Sequence, residues 1–254
     1  MKEAATDRQF LREDAYADSS KLRARASIYD YRVPAGSLVE WALDLVDWPD
    51  GACALDVGCG PGFYLQALWT RNVHGVGIDL SPGMAAEAAR HAPTAVADAA
   101  MLPFPTAAFD RVLAPHMLYH CPDIPRAVAE LRRILRRDGV LIAVTNSTQH
   151  LHELREIRER FDGGRHVVSE RFSVENGADF LATAFDDVNV VHFDGELRVP
   201  EVKPVGDYLA SMMTWYGDPD AASTTAKIER EVAEIIERDG LFRIRTAVGV
   251  FVCR

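Results

Sequence analysis

Between residues 50 and 146 short, almost wholly apolar runs alternate with longer stretches whose apolar residues recur at helical spacing. The runs near 52–57, 74–79, 94–97, 109–114 and 139–145 read as strands and the stretches between them as helices, the alternation of a parallel α/β core. Ahead of them, Ser37 to Trp48 sets Leu38, Trp41, Leu43, Leu45 and Val46 at helical spacing, predicting a helix beside the first strand. Residues 1–34 are polar and helix-prone until Ser27 to Pro34, where aromatics and a proline break the pattern. That predicts an amino-terminal lid.

The pattern changes after Asn146. Leu151 to Phe161 is a strongly charged helix, and Asp162-Gly163-Gly164-Arg165 breaks it. Ser173 suits the N-cap of a helix ending near Phe185, and Asp187 to Phe193 alternates like a strand. A segment with Pro200, Pro204 and Tyr208 to Tyr216 precedes a helix from about 222 to 239 and a last strand near 243–253. The expected organisation is one domain: lid 1–34, cofactor-binding core 35–150, helical insertions 151–180 and 195–240, and a final strand within 241–254.

One segment carries the most chemistry. Ala54-Leu55-Asp56-Val57-Gly58-Cys59-Gly60-Pro61-Gly62 is an apolar strand running into a loop with glycine at every second position. Lacking Cβ atoms, Gly58, Gly60 and Gly62 let the backbone turn sharply and let a ligand approach its N–H groups, that of Cys59 included. A turn serving only chain reversal would need no such context. Here a helical stretch, Phe63 to Trp69, and a second apolar strand, Val73 to Asp79, complete a strand–helix–strand unit. Ligands of such units sit at the carboxyl edge of the sheet, where an acid ending the second strand accepts from ribose hydroxyls. Asp79 holds that place. Dinucleotide loops run G-x-G-x-x-G/A, whereas here the third glycine falls at 62 and Phe63 stands where a small residue is wanted. The spacing favours S-adenosylmethionine.

With this loop, the chain resembles the class I S-adenosylmethionine-dependent methyltransferases, particularly the branch acting on small molecules. Val96-Ala97-Asp98-Ala99-Ala100-Met101-Leu102-Pro103-Phe104 is similar to the family's third-strand motif, Phe109 to Ala114 to its fourth strand, and Leu135 to Val144 to its turn and fifth strand. Asp138-Gly139 stands where the family usually has Pro-Gly or Gly-Gly. The resemblance implies a Rossmann-like, seven-stranded, mostly parallel sheet whose last strand, Phe242 to Val252, is antiparallel. It implies a donor site in which Asp79 holds the ribose and Asp98 the adenine amino group. Leu80, Ala99 and Ala114 would be apolar neighbours at the strand ends; Asp56 and the loop after it, Gly58, Cys59 and Gly60, would bind the donor, the backbone around Gly58 to Gly60 holding the methionine portion. Tyr31 and Arg32, in a segment that in this family folds over the donor, could reach its carboxylate or the acceptor.

Composition narrows the acceptor. A net charge of −10 and the absence of a basic stripe with interleaved aromatics argue against nucleic acid. The basic run Arg132-Arg133 to Arg136-Arg137 reads as a solvated helix face. No run of eighteen apolar residues and no secretory leader is found, which predicts a cytoplasmic protein without a membrane partner. The four cysteines, Cys53, Cys59, Cys121 and Cys253, lack ligand spacing and predict neither zinc nor disulfides. Magnesium is disfavoured because Ala114-Pro115-His116 and Thr145-Asn146-Ser147 offer no cluster of hard oxygen ligands.

The expected activity is methyl transfer to an O, N or C nucleophile of a small organic acceptor, such as a secondary metabolite. His120, in a Met-Leu-Tyr-His stretch that recurs at this place in the small-molecule branch, is the first candidate for general base. His116 is the second, followed by His150 and His152. Met212, Met213, Trp215 and Tyr216 suit a pocket lining, and equally core packing or the contact of a homodimer. The rival reading is a non-catalytic S-adenosylmethionine-binding protein that regulates or scaffolds a partner.

Overall fold

The computed structural model describes residues 4–162, 168–216 and 220–254; the side chains of 162, 168, 169 and 213–216 lie outside that description. An amino-terminal arm contains α1 (Arg8–Phe10), a π-helical turn (Leu11–Ala15) and α2 (Ser20–Ser27), followed by β1 (Arg32–Val33) and α3 (Leu38–Leu43). Strands β2 (Cys53–Val57), β3 (His74–Asp79), β4 (Thr94–Val96), β5 (Phe109–Pro115) and β6 (Leu135–Asn146) come next. Between them lie α4 (Phe63–Thr70), α5 (Pro82–Ala88) and α6 (Ile124–Ile134). Then follow α7 (His152–Asp162), α8 (Gly177–Leu181), β7 (Val188–His192), β8 (Gly195–Val199), α9 (Lys203–Tyr216), α10 (Ala221–Asp239), β9 (Phe242–Thr246) and β10 (Val248–Cys253).

Seven strands form one sheet in the order β4-β3-β2-β5-β6-β10-β7. The first five are mutually parallel, and β10 runs antiparallel to both β6 and β7. The seven-stranded, mostly parallel fold expected from the sequence is therefore present. At its centre, Ala54 to Val57 of β2 are all buried, since helices cover both faces. The chain leaves β2 toward β3 and β4, then returns to β5 on the other side. That reversal opens a crevice at the carboxyl ends of β2, β3 and β5, where ligands of open α/β sheets bind.

Several sequence expectations are corrected. The final segment is two strands, because the chain breaks at Ala247, whose N–H donates to His150 Nδ1 and whose carbonyl accepts from Ser147. Only β10 enters the large sheet. β9 pairs with β8, and β8 with β1, in a second, antiparallel sheet absent from the sequence reading. Helices α7, α9 and α10 pack on it around Ile28, Leu154, Leu197, Val205, Ile228 and Ile244. The helix expected from Ser173 to Phe185 shrinks to Gly177–Leu181, because Ser173 closes a turn with Asn176 Oδ1 and the carbonyl of Ser173 accepts from Gly177. The helix expected to reach Trp48 stops at Leu43, whose carbonyl accepts from the Trp48 indole. Arg133 is not merely a solvated face: it donates to the carbonyls of Leu102 and Phe104 and fixes the loop after β4. Residues 163–165 of the expected break lie outside the described residues.

Among the described residues no helix is long and apolar enough to cross a membrane. The four cysteines are free thiols, and no described group of His, Cys, Asp or Glu is gathered as for a metal ion.

Candidate active site

The alternating glycines have a conformational cause. Gly58, Gly60 and Gly62 have φ of 70°, 52° and 91°, a left-handed region that side chains strain to reach. A Cβ on Gly58 would also stand 2.7 Å from that of Met117, in the loop after β5. The N–H groups themselves are spent inside the protein, however. Those of Gly58 and Cys59 both donate to the carbonyl of Ile78, and that of Gly60 donates to Asp79 Oδ2 at 2.9 Å. The expectation that the N–H of Cys59 faces a ligand is thus corrected: hydrogen bonding clamps the loop to the end of β3.

Two acids sit at this edge in different surroundings. Asp79 accepts from Gly60 through Oδ2 and from Ser81 through Oδ1 at 2.8 Å, and the backbone of Leu80 also supports it, without exhausting the accepting capacity of the carboxylate. Burial raises its pKa, and the backbone N–H donors oppose that rise. Asp56 lies directly below the loop, wholly inaccessible, and neither of its oxygens has a hydrogen-bond partner. Burial, then the neighbouring Asp79, pushes it up to about 8. Unpaired buried carboxylates are costly, and a cation held above the loop would relieve both acids at once.

Asp98 follows β4. Its Oδ1 accepts from the N–H of Ala100, and its Oδ2 pairs with Arg8 of the arm at 2.8 Å. The arm covers this whole edge. Leu11 and Ala15 pack with Leu80 and Met212, Ser81 Oγ donates to the carbonyl of Tyr16, and Ser19 donates twice to Glu87. Ala99 and Ala114 are buried beside the strand ends. Met213, Trp215 and Tyr216 have side chains outside the described residues.

In the segments after β5 and β6 stand the histidines of two tyrosine–histidine pairs, Tyr16–His120 and Tyr29–His150. His120 Nδ1 lies 2.9 Å from the carbonyl of Ala5, which can only accept, so Nδ1 carries the hydrogen and Nε2 accepts from the Tyr16 hydroxyl at 3.0 Å. His150 Nδ1 accepts from the N–H of Ala247, so its Nε2 donates to the Tyr29 hydroxyl at 2.7 Å. Burial lowers His116 and His120 to about 4 and His150 to about 3, which keeps all three neutral at physiological pH. Tyr16, Tyr29, Tyr119, His116 and His120 lie deep in the protein, yet each keeps some accessible surface. His116, whose φ of 53° is also left-handed, follows β5 at the switch point.

Two expected residues are placed elsewhere. The Tyr31 hydroxyl donates to Glu201, and the buried Arg32 donates to Thr246 and to the carbonyls of Phe193 and Asp194 while stacking on the Phe193 ring. Both are committed to the second sheet, which the sequence reading lacked. His152 pairs with Glu156 on its own helix. In their place the structure brings Arg8, Tyr16, Arg25 and Tyr29 to the site.

A family model described as a methyltransferase domain matches residues 55–143. The malonyl-[acyl-carrier protein] O-methyltransferase of Hahella chejuensis is 37% identical over 170 residues, 61% of this chain and 60% of that one. The mitochondrial arginine-hydroxylase NDUFAF5 of Rattus norvegicus is 34% identical over 113 residues, 42% of this chain and 32% of the other. The chain spans about half the length of the curated relatives it matches. Among solved structures, a phosphoethanolamine N-methyltransferase 2 of Haemonchus contortus, in complex with phosphomonomethylethanolamine and S-adenosylhomocysteine, superposes with a TM-score of 0.59. It is 16% identical, covering 97% of this chain and 59% of that one.

Proposed function

Since the chain belongs to the class I S-adenosylmethionine-dependent methyltransferases, we propose that it binds S-adenosylmethionine across the ends of β2 and β3 and transfers its methyl group to a small organic acceptor. The acceptor would lie between the arm and the loop 116–120. The observation that carries this reading is the orphaned Asp56 carboxylate beneath the glycine loop, with Asp79 beside it. A buried acid without partners beside a second, hydrogen-bonded one suits a ligand that brings positive charge together with hydroxyls.

When bound, the donor supplies an electrophilic methyl group, so the protein's task is mainly placement and exclusion of water. Asp79 would hold the ribose hydroxyls through the accepting capacity its backbone donors leave. Asp98 would take the adenine amino group, and Arg8 would release or share it; an exposed pair of this kind costs little to rearrange. Leu80, Ala99 and Ala114 would flank the ring, and Asp56 would act through its charge from below. Tyr16, with His120 behind it, is the polar pair set on the acceptor side. His120 therefore meets an acceptor proton through the Tyr16 hydroxyl rather than directly.

The test is an acceptor screen that reads S-adenosylhomocysteine formation, seeded with malonyl and other acyl thioesters, phosphoethanolamines and free organic acids. Turnover with at least one class, absent when the donor is omitted, is the expected result. A protein that binds the donor but turns over no acceptor would favour the regulatory reading.

A further inference from the structure

Tyr64 is a core tyrosine whose hydroxyl has no hydrogen-bond partner. It stands in the first turn of α4, is 7% exposed, and belongs to the apolar cluster of Leu43, Leu65, Leu113, Ile142 and Val144. A buried tyrosine ordinarily gives its O–H an acceptor, and a phenylalanine would fill the same space without one. Packing alone therefore does not call for the hydroxyl.

The second orphan on this face is Asp56. Leu55 and Val57 of β2 pack with Val112 and Ala114 on one side of the sheet, and Ala54 packs with Tyr64 on the other. The two-residue period of a strand sets Asp56 on the side of Ala54, beneath α4. Its neighbours within the sheet, Gly77 of β3 and Leu113 of β5, bring no polar side chain. The titratable groups that share its field are Asp79, Cys59 and Tyr64. Asp79 can only accept when ionised, and the Cys59 thiol turns to the carbonyl of Gly60. Burial and the charge of Asp56 both raise the pKa of Tyr64, so its hydroxyl keeps a proton to donate.

The chemistry of the two groups matches. Asp56, pushed up to about 8, changes protonation state near neutrality, so a partner has to serve both forms. A hydroxyl donates to a carboxylate and accepts from a carboxylic acid, whereas an N–H group only donates. We propose that Tyr64 is a positioning residue of the donor site: its hydroxyl donates to the Asp56 carboxylate when that group is ionised, and so holds the charge beneath the glycine loop. As the structure stands the two are not bonded to one another, and the pair closes as Asp56 takes its charge. The role toward the donor rests on the methyltransferase reading; the pair itself does not.

The experiment compares the unaltered protein with Tyr64→Phe, Asp56→Asn and the double variant. Tyr64→Phe keeps the shape of the core, and thermal melting first establishes that each variant folds. Calorimetry with S-adenosylhomocysteine follows, at about pH 5 and about pH 8. A bond to the carboxylate favours the ionised form, so its loss is felt where Asp56 is ionised in the complex and vanishes where it is protonated. Tyr64→Phe is expected to weaken S-adenosylhomocysteine about 10-fold at the higher pH and less than about twofold at the lower, and to do neither when Asp56 is already asparagine. Weakening by one factor at every pH, as a packing role would give, or no weakening at all, overturns the proposal. Melting of the protein without ligand decides the pair separately. As pH rises through about 8, Tyr64→Phe should lose more stability than the unaltered protein, and Asp56→Asn should remove that difference. If S-adenosylhomocysteine fails to bind the unaltered protein, the donor site falls while the melting curves still decide the pair, parallel curves overturning it.

Discussion

Asp79→Ala is expected to weaken S-adenosylhomocysteine binding by at least about 100-fold in calorimetry, the combined worth of two charge-assisted hydrogen bonds. The same carboxylate also receives Gly60 and Ser81, so its removal frees the glycine loop from β3 as well as removing the ribose acceptor. Asp79→Asn separates the two effects. The amide oxygen still accepts from one of these N–H groups, and an intermediate affinity is expected. If both variants bound S-adenosylhomocysteine as tightly as the unaltered protein, the donor would not lie on Asp79.

Asp56→Asn is expected to move stability and affinity in opposite directions. The folded pKa, about 8, lies far above that of an unfolded aspartate. Below about pH 4 both states are protonated and the group contributes nothing. As pH rises from there toward 8, the unfolded chain gains the charge while the folded chain does not, so stability falls, and the loss is complete above the folded pKa. Asparagine removes that loss, and the gain at pH 8 should be of the order of 1–3 kcal/mol after the cost of burying an unpartnered amide. Melting curves should coincide near pH 4 and separate increasingly toward pH 8. Donor affinity should meanwhile drop by about tenfold or more, because the charge beneath the loop is gone. In the unaltered protein, S-adenosylhomocysteine, which retains the ammonium group, should bind more tightly at pH 8 than at pH 6 and release protons at the lower pH. Equal melting gaps at both ends of the pH range would contradict the orphaned carboxylate.

The large sheet was legible because its strands are continuous apolar runs and its loop needs left-handed backbone at alternate residues. Asp56, Asp79 and Asp98 stand out in the sequence for the same reason: each ends or follows a strand at the carboxyl edge. The second sheet was legible in principle. Leu197 and Val199 alternate with Glu196 and Arg198, as Phe242, Ile244 and Thr246 do with Arg243 and Arg245, whereas Val248 to Cys253 is buried without alternation. That change of period marks where the chain passes from a half-buried sheet to a central strand. Reading 243–253 as one strand hid it, and so left Tyr31 and Arg32 free to be assigned to the donor.

The acceptor side was less legible. Tyr16, Arg25 and Tyr29 acquire meaning only through partners far away in the chain: His120, the carbonyl of Ser211 and His150. A polar, helix-prone arm carries no local signal for contacts of that range. His120 was singled out by its place after β5, but its tautomer, and hence its dependence on Tyr16, follows from the carbonyl of Ala5.

The central claim is a methyl-donor site between Asp56–Gly62 and Asp79, and a titration of S-adenosylhomocysteine into the unaltered protein, with NADH as the comparison titrant, tests it most directly. The account predicts one saturable site per chain for S-adenosylhomocysteine, tighter than any binding of NADH. Absence of saturable S-adenosylhomocysteine binding, or tighter binding of NADH, would contradict it.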